Sequence, residues 1–127
     1  MRCIADSDVV RLVRDRNVTL EMCPTSNYQT GVMHLMSHHP LPDFYRLGIK
    51  VTINTDDPSI SDTTLSDEYF LAMAGMGLEM SDLKVMIMTS IEAAFLPPNE
   101  KAALAARFRA EWDRLQLPGR AHEDRRF

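Results

Sequence analysis

Two short β-prone runs, residues 18–23 and 49–54, are the only strand-like stretches in a chain whose other patterns are helical. A helix-forming segment at 40–47, closed by Gly48 as a C-cap, lies between them. The order strand, helix, strand calls for a parallel pair joined by a right-handed crossover. The loops after Cys23 and Asn54 then open on one face of the sheet. Parallel strands are normally buried on both faces within larger sheets, and two of them cannot make a sheet core for five helices. The imbalance points to a piece of an α/β domain.

The first of those helices runs from residue 6 or 7 to residue 16, with Val9, Val10, Leu12 and Val13 as its apolar stripe. Asn17 breaks the pattern before the first strand, and Pro24 stops that strand in a polar loop over 25–39. Three helices follow the second strand. They begin near Ser66, near Ser81 and at Asn99, each with a capping side chain. The second of the three carries Leu83, Ile87 and Ile91 on one side, and the third carries Leu104, Phe108 and Trp112 at the width of a single buried stripe. Pro118 and Gly119 close it, and 117–127 reads as a flexible tail.

Charge and cysteine content narrow the function classes. A formal net charge of -4 argues against holding nucleic acid by phosphate neutralisation, which needs a basic face. Arg120, Arg125 and Arg126 form a basic cluster only in the tail, where a solvated terminus is the expectation. Cys3 and Cys23 lack the spacing of a disulfide scaffold or a zinc ribbon and read as reduced thiols. With no run of apolar residues long enough for a signal or a span, the expectation is a cytoplasmic protein without membrane or nucleic-acid partners. Met73, Met76, Met80, Met86 and Met88 fall within helical patterns, as core gap-fillers do.

Three polar strings sit where chemistry is possible. Asn54-Thr55-Asp56-Asp57-Pro58 lies where a strand hands over to a loop, the place where parallel barrels carry ligands and catalytic groups. Adjacent carboxylates there need a cation, a shared proton or solvent. The same residues also fit an exposed acidic turn in which Pro58 sets the bend and the aspartates cap local amides. Cys23-Pro24-Thr25-Ser26-Asn27, on the same face, either orients a neighbouring ligand or shapes its own turn. His38 and His39 precede Pro40; adjacent histidines point apart on most backbones, which favours a role at the start of the helix over joint chelation. His34 and His122 read as surface groups.

In order and spacing these strings resemble the C-terminal portion of the adenosine deaminase family, within the metal-dependent amidohydrolases. The matching pieces are Leu20-Glu21-Met22-Cys23-Pro24-Thr25-Ser26-Asn27, His39-Pro40-Leu41, Val51-Thr52-Ile53-Asn54-Thr55-Asp56-Asp57-Pro58, Thr64-Leu65-Ser66-Asp67-Glu68-Tyr69 and Ala93-Ala94-Phe95-Leu96-Pro97. Thr-Asp-Asp-Pro followed by Thr-Leu-Ser-Asp-Glu-Tyr looks more like the adenosine branch than the adenine or AMP branches. The resemblance implies the C-terminal part of a TIM (β/α)8 barrel over residues 1–116, with 18–23 as its seventh strand and 49–54 as its eighth. It implies a zinc-dependent hydrolytic deamination of adenosine to inosine and ammonia, with a related purine such as adenine as the alternative substrate. On this resemblance Asp56 is the metal ligand that also orients the metal-bound water. Asp57 binds the substrate by facing N7 of the purine, protonated through burial beside an anionic neighbour.

The resemblance also marks what the sequence lacks. The family's His-x-His pair, its further metal-ligating histidine, its glutamate acid and its catalytic histidine have no counterpart here, and one carboxylate cannot hold catalytic zinc. Met1-Arg2-Cys3 looks like the segment just after that catalytic histidine. The expectation is a truncated product, a fragmentary gene model or one segment of a split enzyme, inactive alone and needing the N-terminal part of the barrel as its partner. The contrasting expectation is a non-catalytic helical module that uses Leu104, Phe108 and Trp112 to bind a partner. The His-x-Glu and Pro-Cys-x-x-Cys pattern of the cytidine and tRNA deaminases is absent.

Overall fold

A computed structural model describes residues 6–115 of the 127. The predicted tail, with its arginine cluster and His122, and Cys3 lie outside the described residues. The chain divides into two compact units, Met1–Leu78 and Glu79–Phe127.

The first unit is built on a parallel pair. β1 (Thr19–Met22) pairs with β2 (Lys50–Ile53) in the register Leu20 to Val51 and Met22 to Ile53, and the ladder continues as the Asn54 amide donates to the Met22 carbonyl at 2.8 Å. Val51, Thr52 and Ile53 are buried in succession, the signature of a strand covered on both faces. α1 (Ser7–Asp15) precedes β1, with the Asp6 carboxylate accepting from the Asp8 and Val9 amides as N-cap. None of its residues is buried, so the predicted apolar stripe is not spent on the core of this unit. Asn17 then turns the chain in the left-handed conformation at φ 54°.

α3 (Leu41–Arg46) packs on β2 and seats Leu41 and Phe44 in the core, and Gly48, at φ 77°, ends it as expected. Between the strands the structure departs from the polar loop predicted over 25–39. It forms α2 (Pro24–Gln29) and a 3-10 turn (Met36–His38). Pro24 at the first helical position is preorganised for a helix, and later contacts supply what the polar sequence did not advertise. A further short helix, α4 (Pro58–Ser61), follows β2 and leads to α5 (Leu65–Met76). Thr64, not Ser66, caps α5: its hydroxyl accepts from the Asp67 amide while the Asp67 carboxylate accepts from the Thr64 amide at 2.9 Å. Gly75 lets the 3-10 turn approach α5, since a Cβ there would meet Met36 Cγ at 3.2 Å.

The second unit is a helix pair, α6 (Met80–Ala93) and α7 (Pro98–Arg114). Two predicted caps move. Ser81 lies inside the first turn of α6, whose Glu79 amide donates to the Asp82 carboxylate, and Asn99 lies inside α7, which starts on Pro98 without a side-chain cap. The buried apolar residues are Leu83, Met86 and Ile91 from α6 with Ala105 and Trp112 from α7. Leu104 is exposed, so the stripe predicted at fourfold spacing runs instead through Ala105, Phe108 and Trp112. The Phe108 and Trp112 rings lie 5.6 Å apart, and the Lys84 ammonium stands 5.1 Å over the Trp112 ring. A buried Trp112 is not available as the anchor of a partner-binding stripe.

Candidate active site at the strand ends

The two loops predicted to share a face do so. Asp56 follows β2 in the left-handed conformation, φ 48°, and this turn directs its exposed carboxylate toward the start of α2. There the Ser26 hydroxyl donates to it, and the Asp57 amide donates to its Oδ1. These two donations, the hydroxyl first, hold the Asp56 carboxyl below the usual carboxylate range. It is therefore ionised at neutral pH, as a metal ligand must be.

Asp57 takes the capping role that the acidic-turn reading gave it. Its carboxylate Oδ1 accepts from the Ile60 amide at 3.1 Å and starts α4 behind Pro58. The side chain is exposed, so the burial expected to protonate it is absent among the described residues. Thr52 and Asn54 form a polar pair at the end of β2, where Asn54 Nδ2 donates to the Thr52 hydroxyl at 2.8 Å.

The histidines divide as their backbone required. His38 is exposed, while His39 is buried and begins α3. Nδ1 of His39 accepts from the Leu41 amide at 3.3 Å, which leaves Nε2 to carry the proton and donate to Asn27 Oδ1 at 3.1 Å. Burial pushes its pKa down to about 4, so the ring is neutral with both nitrogens engaged, and it is no ligand. Cys23, at the end of β1, is equally unsuited: burial, then the carboxylates of Asp56, Glu68 and Glu21, push its thiol up to about 11. Among the described residues no group of three or more His, Cys, Asp or Glu side chains is placed to hold a metal ion. Asp56 offers one carboxylate donor at the strand ends, fewer than the about three protein ligands a catalytic zinc site uses.

One site residue escaped the sequence reading. Glu68, on α5, is 1% exposed and reaches both loops. Its Oε2 accepts from the Thr25 amide at 3.1 Å and its Oε1 from the Thr63 hydroxyl at 3.1 Å. Its only sequence signal was membership of the Thr-Leu-Ser-Asp-Glu-Tyr string, because the contact to Thr25 spans 43 positions. Gln29 adds a second tie, as its Nε2 donates to the Ser61 carbonyl at 2.9 Å.

A sequence model of the adenosine deaminase family matches residues 1–111. The chain belongs to that family. It is 39% identical over 98 residues to an adenosine deaminase of Clostridium botulinum, covering 77% of this chain and 29% of the relative. It is 41% identical over 107 residues to an adenine deaminase of Rhizobium meliloti, covering 84% and 33%. Its structure is similar to that of an adenine deaminase from Arthrobacter aurescens, with a TM-score of 0.83 at 27% identity, covering 89% of this chain and 34% of that one. A Burkholderia ambifaria amidohydrolase with bound Zn matches with a TM-score of 0.79 at 25% identity, covering 89% and 32%. The fold is the C-terminal part of a TIM barrel. The chain spans about a third of the length of the relatives it matches. Among the described residues no helix is long and apolar enough to cross a membrane.

Proposed function

We propose that this chain supplies the carboxylate end of a zinc-dependent site that deaminates a purine by hydrolysis at C6, with adenosine as the substrate. The reaction adds water at C6 and releases ammonia, so adenosine gives inosine. The observation that carries the reading is the Asp56 carboxylate at the end of β2, which accepts from the Ser26 hydroxyl of α2, the helix that follows the neighbouring strand. Zinc, when bound, lowers the pKa of a coordinated water toward neutrality.

Asp56 would contribute an oxygen ligand, and the Ser26 hydroxyl donates to that carboxylate. Asp57 meets purine N7. Because N7 only accepts, that contact requires a protonated carboxyl, and since the Asp57 side chain is exposed here the burial it needs has to come from the N-terminal part of the barrel. The adenosine assignment rests on the Thr64-Leu65-Ser66-Asp67-Glu68-Tyr69 string; adenine is the second reading, supported by the 41% identity to the Rhizobium adenine deaminase. With one ligand position, the 127-residue chain alone binds zinc weakly and leaves adenosine unchanged, and it turns over once the N-terminal part of the barrel is supplied.

Zinc content and turnover of the reconstituted enzyme test the two aspartates. Asp56→Ala abolishes activity and most metal retention. Asp57→Ala keeps the metal and loses one to two decades of catalytic efficiency, the cost of one hydrogen bond of about 1–3 kcal/mol. Equal metal loss in both variants overturns the division of labour, and unchanged activity in both overturns the site. Tight stoichiometric zinc on the isolated chain contradicts the single-ligand reading. Turnover of adenine in preference to adenosine moves the substrate to the second reading.

A further inference from the structure

The start of α2 lacks what a helix start needs. Cys23 offers no side-chain cap, Pro24 has no amide proton, and the first orphan donor is therefore the Thr25 amide. Glu68 satisfies that donor from another helix. At the start of α5 its neighbours already do the capping, since Thr64 and Asp67 form the reciprocal pair there. The Glu68 side chain is left to turn inward. Burying a carboxylate costs several kcal/mol unless its oxygens find donors, and here each finds one. The Thr63 hydroxyl also lies 3.4 Å from the Thr64 carbonyl, but the Glu68 contact, at 3.1 Å, is the shorter.

The next residue along α2 is Ser26, whose hydroxyl holds the Asp56 carboxylate. We infer that Glu68 is a positioning residue for the strand-end site: it supplies in trans the N-cap of α2 and so fixes Ser26 against Asp56. The connection to catalysis rests on the deaminase reading, while the coupling itself does not. The tie to Thr63 adds the segment between α4 and α5, so one side chain sets the segments that follow both strands. The charge is dispensable in this role and the two contacts are not. A glutamine at 68 presents one oxygen to the Thr25 amide and one amide nitrogen to the Thr63 hydroxyl oxygen.

Residue-resolved hydrogen–deuterium exchange on the full chain tests the coupling without substrate or metal. In Glu68→Ala the amides of Thr25 and, within α2, Asn27 exchange tenfold faster or more, and the Asp57 amide that donates to Asp56 follows. The β1–β2 ladder amides keep their rates. Glu68→Gln restores all of them. Glu68→Met, which fills the volume but offers no acceptor, behaves like Glu68→Ala and carries the test if the alanine variant does not fold. Ser26→Ala reproduces the change at Asp57 while leaving Thr25 protected. Unchanged exchange at Thr25 in Glu68→Met overturns the proposal, as does a glutamine variant as fast as the methionine one. An Asp57 amide indifferent to Glu68→Met breaks the link to the site while leaving the cap. Failure of the deaminase reading shows instead in the zinc content of Asp56→Ala, which does not involve Glu68.

Discussion

The two units hold themselves together by different means. In Met1–Leu78 an apolar core that includes Leu41, Phe44, Val51 and Ile53 is joined by polar contacts between residues far apart in sequence, as in Thr25 to Glu68, Gln29 to Ser61 and Asn27 to His39. In Glu79–Phe127 the polar contacts are mostly local. Thr89 and Ser90 return their hydroxyls to carbonyls one turn back, and Arg114 pairs with Glu111 on the surface. The work there falls to packed side chains, above all Trp112, whose Nε1 has no hydrogen-bond partner among the described residues. Directional contacts accumulate where side chains must be aimed. Where only bulk must be buried, shape and area suffice.

The contrast is open to attack at several points. Trp112→Ala is the heaviest blow, with an expected loss of about 3–5 kcal/mol read by denaturant unfolding of α6 and α7. A loss below about 1 kcal/mol would mean that packing is not what holds the second unit. The next effect belongs to the first unit and depends on pH. His39 titrates at about 4 folded against 6.5 for the ordinary group, so between those values the unfolded chain binds the extra proton. Stability is full above about pH 6.5 and falls toward pH 4, by at most about 1.4 kcal/mol per pH unit. Thermal unfolding of the wild type against His39→Gln over that range measures it, and identical slopes would sink the assignment. Thr64→Ala removes the reciprocal cap of α5 and costs about 1 kcal/mol, visible as faster exchange in that first turn. Smallest is Arg114→Ala, expected within about 1 kcal/mol by the same denaturation assay, since the pair it breaks is solvent-exposed.

How much of this was legible in the sequence follows the same division. The parallel strands, the Gly48 stop and the shared face of the two loops came from patterns of a few neighbouring residues, and they stand. α2 was invisible because Thr25, Ser26 and Asn27 carry no apolar period, and its start depends on a carboxylate 43 positions away. Leu104 misled for the opposite reason. Fourfold spacing names a helical face, but Ala105, one residue along, takes the buried place and leaves Leu104 outside. At the Asp56-Asp57 pair, Asp57 caps a helix as the turn reading held and is exposed, against the burial the site reading expected, while donors from Ser26 and Asp57 hold the Asp56 carboxyl below the usual carboxylate range.

The left-handed backbone of Asp56 limits what can replace it. At φ 48° most side chains are strained, whereas asparagine and glycine rest there with little cost. Both lie one base change from an aspartate codon. The easiest genetic drift at this position therefore keeps the turn and discards the charge. A lineage taking that step would fold and pack as before, and under the role proposed for Asp56 nothing in its architecture would show the lost carboxylate.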